Sequence, residues 1–514
     1  MFPRVSTLDS VRPTPAGSRS STWATLEDVR DMADHAFSRS AGAPLITGNA
    51  IRLLRDAREN YPAWLEAIRS ARRRVHFENY IIADDRTGNT FAEALIERAT
   101  AGVSVRLIYD WLGAFGKSSR AFRARLAAGG VEVRCYNPPR LESPLGWVSR
   151  DHRKLLTVDG EVGFVSGLCV ADLWLGDPLK DLEPWRDTGV EIRGPAVTEL
   201  ERAFGRVWAM LGAPLPAANG RTADENNRPG TAGSTAAIAP VGDVAMRIVA
   251  SEPATSGTYR LDQLVVAFAR QRVWLTDAYY LGAPTYVQAL ITSARDGVDV
   301  RMLFTRASDV PLLKVVSRIG YRPLLEAGVR IFEWNGSVLH AKTAVIDRRW
   351  SRVGSTNLNL ASWMGNCELD AVVEDEGFAH QMEQMFEQDL ANATEIVLEA
   401  RRRIRANAAG TKRHARDHRH GSGRAAASAA RIGNVLGAAL MDRRVIEPVE
   451  RRTLLGTGAV LLGLAVLFVV FPRVLAYPAG ALLLWIALTL LYRGWRLRRP
   501  RSSSPPSDSR TTSQ

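Results

Sequence analysis

Two short segments of this chain repeat one pattern: His152-Arg153-Lys154 with Asp159, and His340-Ala341-Lys342 with Asp347. Both read His-x-Lys-x4-Asp. Both run on into a small-residue turn, Ser166-Gly167-Leu168-Cys169 after the first and Gly354-Ser355-Thr356-Asn357 after the second. The duplication extends beyond the motifs: residues 74–81 match 272–279, 101–108 match 296–303, and 130–134 match 328–332. Such a chain folds as two like units. In each, apolar runs of strand length alternate with helical stretches such as 91–100 and 285–295, which predicts an α/β fold with a mostly parallel or mixed sheet.

The motif suits phosphate chemistry. Residues two apart on a strand share a face, so each His points with its Lys, an imidazole beside a fixed positive charge. Asp159-Gly160 is a strong hairpin turn, so the motif is expected on a strand entering a hairpin, its polar residues at the exposed start. The Gly/Ser/Asn turn downstream offers N–H, hydroxyl and amide donors to phosphate oxygens.

These duplicated motifs resemble those that define the phospholipase D superfamily. Gly48-Asn49, Leu53-Leu54, Tyr61, Ala71-Arg72, Phe77-Glu78-Asn79-Tyr80, Asp110 and Gly194-Pro195-Ala196-Val197 look like its bacterial cardiolipin synthase branch. The resemblance implies two pseudo-symmetric α/β halves packed together, residues 46–213 and 245–398. It further implies that one His attacks phosphorus to form a phosphohistidine, while the other protonates the departing alcohol and then deprotonates the acceptor. By that analogy His152 is the nucleophile and His340 the acid/base group; the residues themselves leave the order open. Lys154 and Lys342 would hold phosphate, with Ser355, Asn357 and Ser166. Glu368 occupies a place where the family carries a His-orienting carboxylate, and Asp187 is its candidate counterpart. Asp159 and Asp347 complete the catalytic motif as turn-makers or braces. Glu78 and Asp277 are weaker candidates for a supporting role. No metal and no cofactor is implied. One departure stands out: Cys169 occupies a position where the family usually has Asn, and a thiol is a weak donor.

The three cysteines, Cys135, Cys169 and Cys367, lack CxxC spacing, which argues against a disulfide framework or structural zinc. No apolar run suggestive of a secretory signal marks the first 40 residues, and residues 1–45 read as an N-terminal tail. Residues 214–244, rich in Ala, Gly, Asn, Thr and Pro, read as a flexible linker. The net charge of +13 is concentrated: residues 401–424 carry nine Lys/Arg against Asp417 alone. This stripe, in a juxtamembrane segment 399–450, suits an anionic membrane surface or, less well, nucleic acid; a solvated linker is the plainer reading. Residues 424–441 suit the membrane surface or an ordinary connecting helix.

The two uncharged 19-residue runs 453–471 and 474–492 are separated only by Pro472-Arg473. They read as a transmembrane helical hairpin within 451–499, with a re-entrant hairpin as the alternative. Arginines flank both outer ends, which places the ends and both catalytic halves on the cytoplasmic side; the resemblance implies the inner membrane of a bacterial cell. Residues 500–514 read as disordered. Trp111, Phe115, Leu312, Leu313 and Tyr321 are candidates for an acyl-chain entrance, or else core. The activity so read is phosphatidyl transfer between phospholipids, phosphatidylglycerol being the expected donor. Hydrolysis to phosphatidic acid and a nuclease activity are the alternatives.

Overall fold

A computed structural model of the chain describes residues 26–139, 149–216, 238–307, 316–398 and 404–406, with a few positions between 462 and 488. Leu312, Leu313, most of the basic stripe, residues 424–441 and 500–514, and nearly all of the hairpin fall outside the described residues. No helix among the described residues is long and apolar enough to cross a membrane.

The first half contributes seven strands: β1 (Ile46–Arg55), β2 (Arg74–Asn79), β3 (Ser104–Asp110), β4 (Glu132–Tyr136), β5 (Lys154–Val158), β6 (Val162–Ser166) and β7 (Thr188–Arg193). The second repeats the series as β8 (Val244–Ser251), β9 (Arg272–Asp277), β10 (Asp299–Thr305), β11 (Arg330–Trp334), β12 (Thr343–Ile346), β13 (Trp350–Gly354) and β14 (Glu368–Glu374). It then adds β15 (Ala393–Leu398) and β16 (Ile404–Ala406). The order across the sheet is 16-15-11-10-9-12-13-14-8-1-7-6-5-2-3-4, so the second half's order reverses the first's about the β1–β8 seam. The sheet is mixed: β2–β3–β4 and β9–β10–β11 pair in parallel, the motif strands antiparallel to their neighbours.

The halves also meet through a shared core. Helix Val197–Met210 buries Val197, Leu200, Ala203, Phe204, Val207 and Trp208, a stripe at three- and four-residue spacing. It joins helix Glu376–Ala391, through Phe378, Met382 and Phe386, in one apolar cluster drawn from both halves. Each large side chain so buried is worth roughly 1.5–3 kcal/mol. The region read as an N-terminal tail contains a helix, Leu26–Ala41, packed on helix Gly257–Phe268 of the second half; Phe37 meets Phe268 edge-on at 6.0 Å. Val241, at the linker's end, bonds its N–H to the Gly48 carbonyl at 2.9 Å.

Strand direction gathers the functional segments. Lys154 pairs with Asn79 at the C-terminal end of β2, and parallel β3 and β4 end on the same edge. The loops after β2, β3 and β6 therefore share one edge of the first half and those after β9, β10, β11 and β13 the equivalent edge of the second, and the bridges Asp151–Cys367 and Arg186–Leu339 bring the two edges together.

Candidate active site

The hairpin expectation holds, with two differences. Asp159 and Gly160 both take positive φ, 57° and 74°, and the Glu161 N–H closes the turn on the Val158 carbonyl at 3.0 Å. Asp347 and Arg348 form the equivalent turn at 50° and 60°, without a glycine. The strands, however, begin only at Lys154 and Thr343, so both histidines precede them. Nor is the start exposed: His340, Lys154 and Lys342 are buried, and the His152 side chain is only 12 % accessible. The reason lies in the other half. The His152 N–H donates to the Cys367 carbonyl at 2.9 Å, and the His340 N–H to the Arg186 carbonyl at 2.7 Å. Each motif is covered by the segment that enters β14 or β7 of the opposite half.

That crossing decides which carboxylate serves which imidazole. Nδ1 of His152 lies 3.0 Å from Oε2 of Glu368, and Nδ1 of His340 lies 2.7 Å from Oδ2 of Asp187. Each pair joins a histidine of one half to an acid of the other. The Ser355 hydroxyl steadies Glu368 at 2.6 Å, while the Trp174 indole N–H steadies Asp187 at 2.8 Å. Gly167 occupies the Ser355 position in the first half because a Cβ there would come within 2.1 Å of Asp187 Oδ1. With Nδ1 engaged, Nε2 is the ring nitrogen left for chemistry.

Both ammonium groups lie among these pairs. Lys154 donates to the His152 carbonyl at 2.5 Å, and Lys342 likewise to that of His340. Tyr80 stands edge-on to His152 at 5.1 Å, with Lys154 Nζ 5.2 Å from its ring centre; Tyr279 repeats this with His340 at 5.8 Å and Lys342 at 5.6 Å. His340 also packs on Trp174 and Trp185, at 5.3 and 5.7 Å.

Burial sets the direction at the two imidazoles and at Lys342. It holds the His152 imidazole down at about 4, against the pull of Glu368 and aided by Lys154 and by Lys342 of the other half. Burial and Lys342 hold His340 at about 4 against Asp187, with Lys154 adding from across. Both rings are therefore neutral at neutral pH. Burial alone would raise Asp187, but His340 and Lys342 outweigh it and leave the acid at about 2. Glu368 is likewise lowered by His152 in spite of its burial. Burial brings Lys342 down to about 8, opposed by Asp187 and reinforced by Lys154. The cross-half influences put both Lys–His pairs in one electrostatic field.

The remaining expected residues divide. The carboxylate of Asp159 accepts the backbone N–H groups of Arg72, Arg73 and Arg74, all at 2.8 Å; Asp347 does the same for Arg270, Gln271 and Arg272 at 2.7–2.9 Å. They brace the far turn rather than reach the site. Ser355, expected on phosphate, has its hydroxyl on Glu368. The Ser166 hydroxyl accepts from the Leu168 N–H at 3.2 Å, leaving its own proton to donate. Asn357 is buried, its amide nitrogen 3.4 Å from Ser362 Oγ and its oxygen without a hydrogen-bond partner. The Cys169 thiol is buried and held protonated by that burial, in spite of Lys154 and Lys117.

Asp277 clamps two segments, accepting from Tyr279 and Leu358 N–H at 2.8 Å each; Glu78 is buried beside Arg153, 3.9 Å away. Tyr321 belongs to the core, stacked on Phe304 at 5.2 Å, not to an entrance. Trp111 and Phe115, with Tyr109 and Arg123, line a hollow of about 170 Å³. Sequence reasoning missed the paired role of Tyr80 and Tyr279, because the repeat places Tyr279 one residue late. It also missed Trp174 and Trp185 as neighbours of His340.

Duplicated imidazole–carboxylate pairs, each with a lysine beside it, are set between two like α/β halves. The family model described as "Cardiolipin synthase, PLD-like domain" matches residues 64–172 and 266–390. Cardiolipin synthase A of Pseudomonas aeruginosa is 33 % identical over 375 residues, covering 72 % of this chain and 73 % of that protein. Cardiolipin synthase of Halalkalibacterium halodurans is 31 % identical over 337 residues, 65 % of this chain and 64 % of that one. The crystal structure of phosphatidylserine synthase from Haemophilus influenzae shares the fold at a TM-score of 0.55 and 14 % identity, covering 71 % of this chain and 92 % of that one. The chain belongs to the phospholipase D superfamily, in its cardiolipin synthase-like branch, and is an enzyme of that superfamily.

Proposed function

We propose that the enzyme transfers a phosphatidyl group from one phospholipid, phosphatidylglycerol being the expected donor, to an alcohol on a second. His152 Nε2 attacks phosphorus, and the P–O bond to glycerol breaks as His340 donates a proton to that oxygen. His340 then takes the proton of the acceptor hydroxyl, whose oxygen displaces His152 and restores the starting state. Lys154 and Lys342 balance the charge on the non-bridging oxygens, with Asn357 and Ser166 as nearby donors.

The observation that carries this reading is the crossed pairing: two imidazoles, each fixed at Nδ1 by the opposite half's carboxylate, with a lysine beside each. Neutral His152 is a competent nucleophile as it stands. His340 must acquire a proton, and an anionic phosphodiester entering the site favours its charged form. The similarity to cardiolipin synthases directs the reading to lipids. The surface agrees: Phe115, Leu179, Leu360 and Met364, on the site-edge loops, are 57, 98, 39 and 46 % exposed. Anchoring by the hairpin 451–499 at the bacterial inner membrane, with the catalytic halves cytoplasmic, remains part of the proposal and rests on the sequence pattern.

Purified protein in detergent with phosphatidylglycerol is expected to yield cardiolipin and glycerol. Phosphatidic acid as sole lipid product would replace transfer with hydrolysis. DNA cleavage without lipid turnover would overturn the lipid assignment.

A further inference from the structure

We propose that Arg186 and Asp389 form a latch between the halves that sets the His340–Asp187 pair, making Asp389 a positioning residue for an imidazole it does not touch. Asp389 ends helix Glu376–Ala391 and is 2 % exposed. Its two oxygens receive Arg186 Nε at 2.9 Å and Nη2 at 2.8 Å, the two-pronged geometry that fixes a guanidinium in plane. Arg55 adds a further bond to Oδ1 at 2.8 Å. The third nitrogen of Arg186, Nη1, reaches Asp56 Oδ1 and Thr188 Oγ1, both at 3.1 Å, and the carbonyl of Asp187.

The backbone completes the linkage. The Arg186 N–H donates to the Val338 carbonyl at 3.0 Å, and its carbonyl accepts the His340 N–H at 2.7 Å. The Asp187 N–H is held on Asp56 at 2.9 Å. Arg186 is thus pinned on one side to the strand lead that carries His340 and on the other to a helix of the second half. Asp187 cannot move relative to His340 without disturbing that grip. Stability alone is a poor account of the pair, because desolvating two charges roughly cancels their attraction.

Among the described residues the His152–Glu368 pair has no equivalent latch, which provides an internal control. The residue before Glu368 is Cys367, whose thiol faces the Tyr136 hydroxyl at 3.4 Å. Glu368 is held instead by Arg153, which donates to the carbonyls of Glu368, Ala203 and Ser251 at 3.2, 3.0 and 2.9 Å. Asp389 therefore acts on one imidazole and not the other. The latch rests on the site geometry and is independent of which histidine attacks phosphorus.

The test is the imidazole proton–nitrogen NMR spectrum of the full chain in detergent, with His152 and His340 assigned by H152Q and H340Q. In D389N the Nδ1–H resonance of His340 is expected to move upfield, as its bond to Asp187 loosens, while that of His152 stays in place. R186K, which keeps the charge but loses the fork, is expected to do the same and carries the test if D389N does not fold. Turnover of phosphatidylglycerol should fall about tenfold to a hundredfold in kcat with KM changed less than about threefold. An unmoved His340 resonance in the folded variants would overturn the latch, as would equal movement of both histidines. If the wild-type protein turned over no phospholipid, the spectral result would still decide the latch.

Discussion

Burial sets the direction of titration at His152, His340 and Lys342, and two consequences can be measured. His152 and His340 sit at about 4 when folded, against about 6.5 for an unfolded imidazole. Between those values the unfolded chain binds protons that the folded chain refuses. The stabilisation from keeping both rings neutral is therefore complete above about pH 6.5 and drains away as pH falls toward about 4. Thermal midpoints are expected to drop progressively across that window; a flat profile would contradict the buried neutral rings. On the alkaline side Lys342, at about 8, loses its charge as pH rises. The kcat/KM of the free enzyme should then decline above about pH 8, and K342R, which stays protonated, should push that decline to higher pH. An alkaline limb unchanged in an active K342R would assign it to another group.

The elements that carry the motif were readable at one end and not at the other. Asp159 and Asp347 announce hairpins, and their place as braces follows from a short carboxylate at a positive-φ turn facing three backbone N–H groups. D159A and D347A are each expected to lose about 2–3 kcal/mol of stability by chemical denaturation, with the KM of the surviving fraction unchanged. A raised KM without loss of stability would place these acids at the substrate instead. The histidine end defied the sequence reading. Alternation along a strand suggested an exposed start, whereas the covering segment comes from a distant part of the chain. For the same reason the pairing of Glu368 with His152, and of Asp187 with His340, could not be taken from spacing: Glu368 is nearer in sequence to the histidine it does not serve. A turn serine such as Ser355 is a good donor to phosphate, but the longer reach of Glu368 brings its carboxylate into that hydroxyl's range. Arg153 and Arg186, unremarked in the motifs, are buried connectors between halves.

For the whole molecule, duplication was the strongest signal and fixed both the α/β class and the two-half plan. The reversal of strand order about β1–β8 explains how one repeat can face the other, and the shared core of helices Val197–Met210 and Glu376–Ala391 explains why they stay together. Segments with no partner in the repeat were harder to read, as the helix Leu26–Ala41 and strands β15 and β16 show. The proposed hairpin 451–499 rests on composition alone, and deleting those residues tests it directly. The truncated enzyme is expected to leave the membrane fraction while keeping turnover of detergent-solubilised lipid; firm pelleting after a salt wash would locate the anchor elsewhere.

The decisive measurement uses H340A with a phosphatidyl ester of p-nitrophenol, whose leaving group departs without a proton. With the attacking ring intact and the acid/base ring removed, the account predicts a burst of p-nitrophenolate stoichiometric with enzyme. It also predicts a phosphatidyl adduct recovered on the peptide containing His152, with neither seen in H152A. No burst from H340A, or an adduct on a residue other than His152, would contradict it.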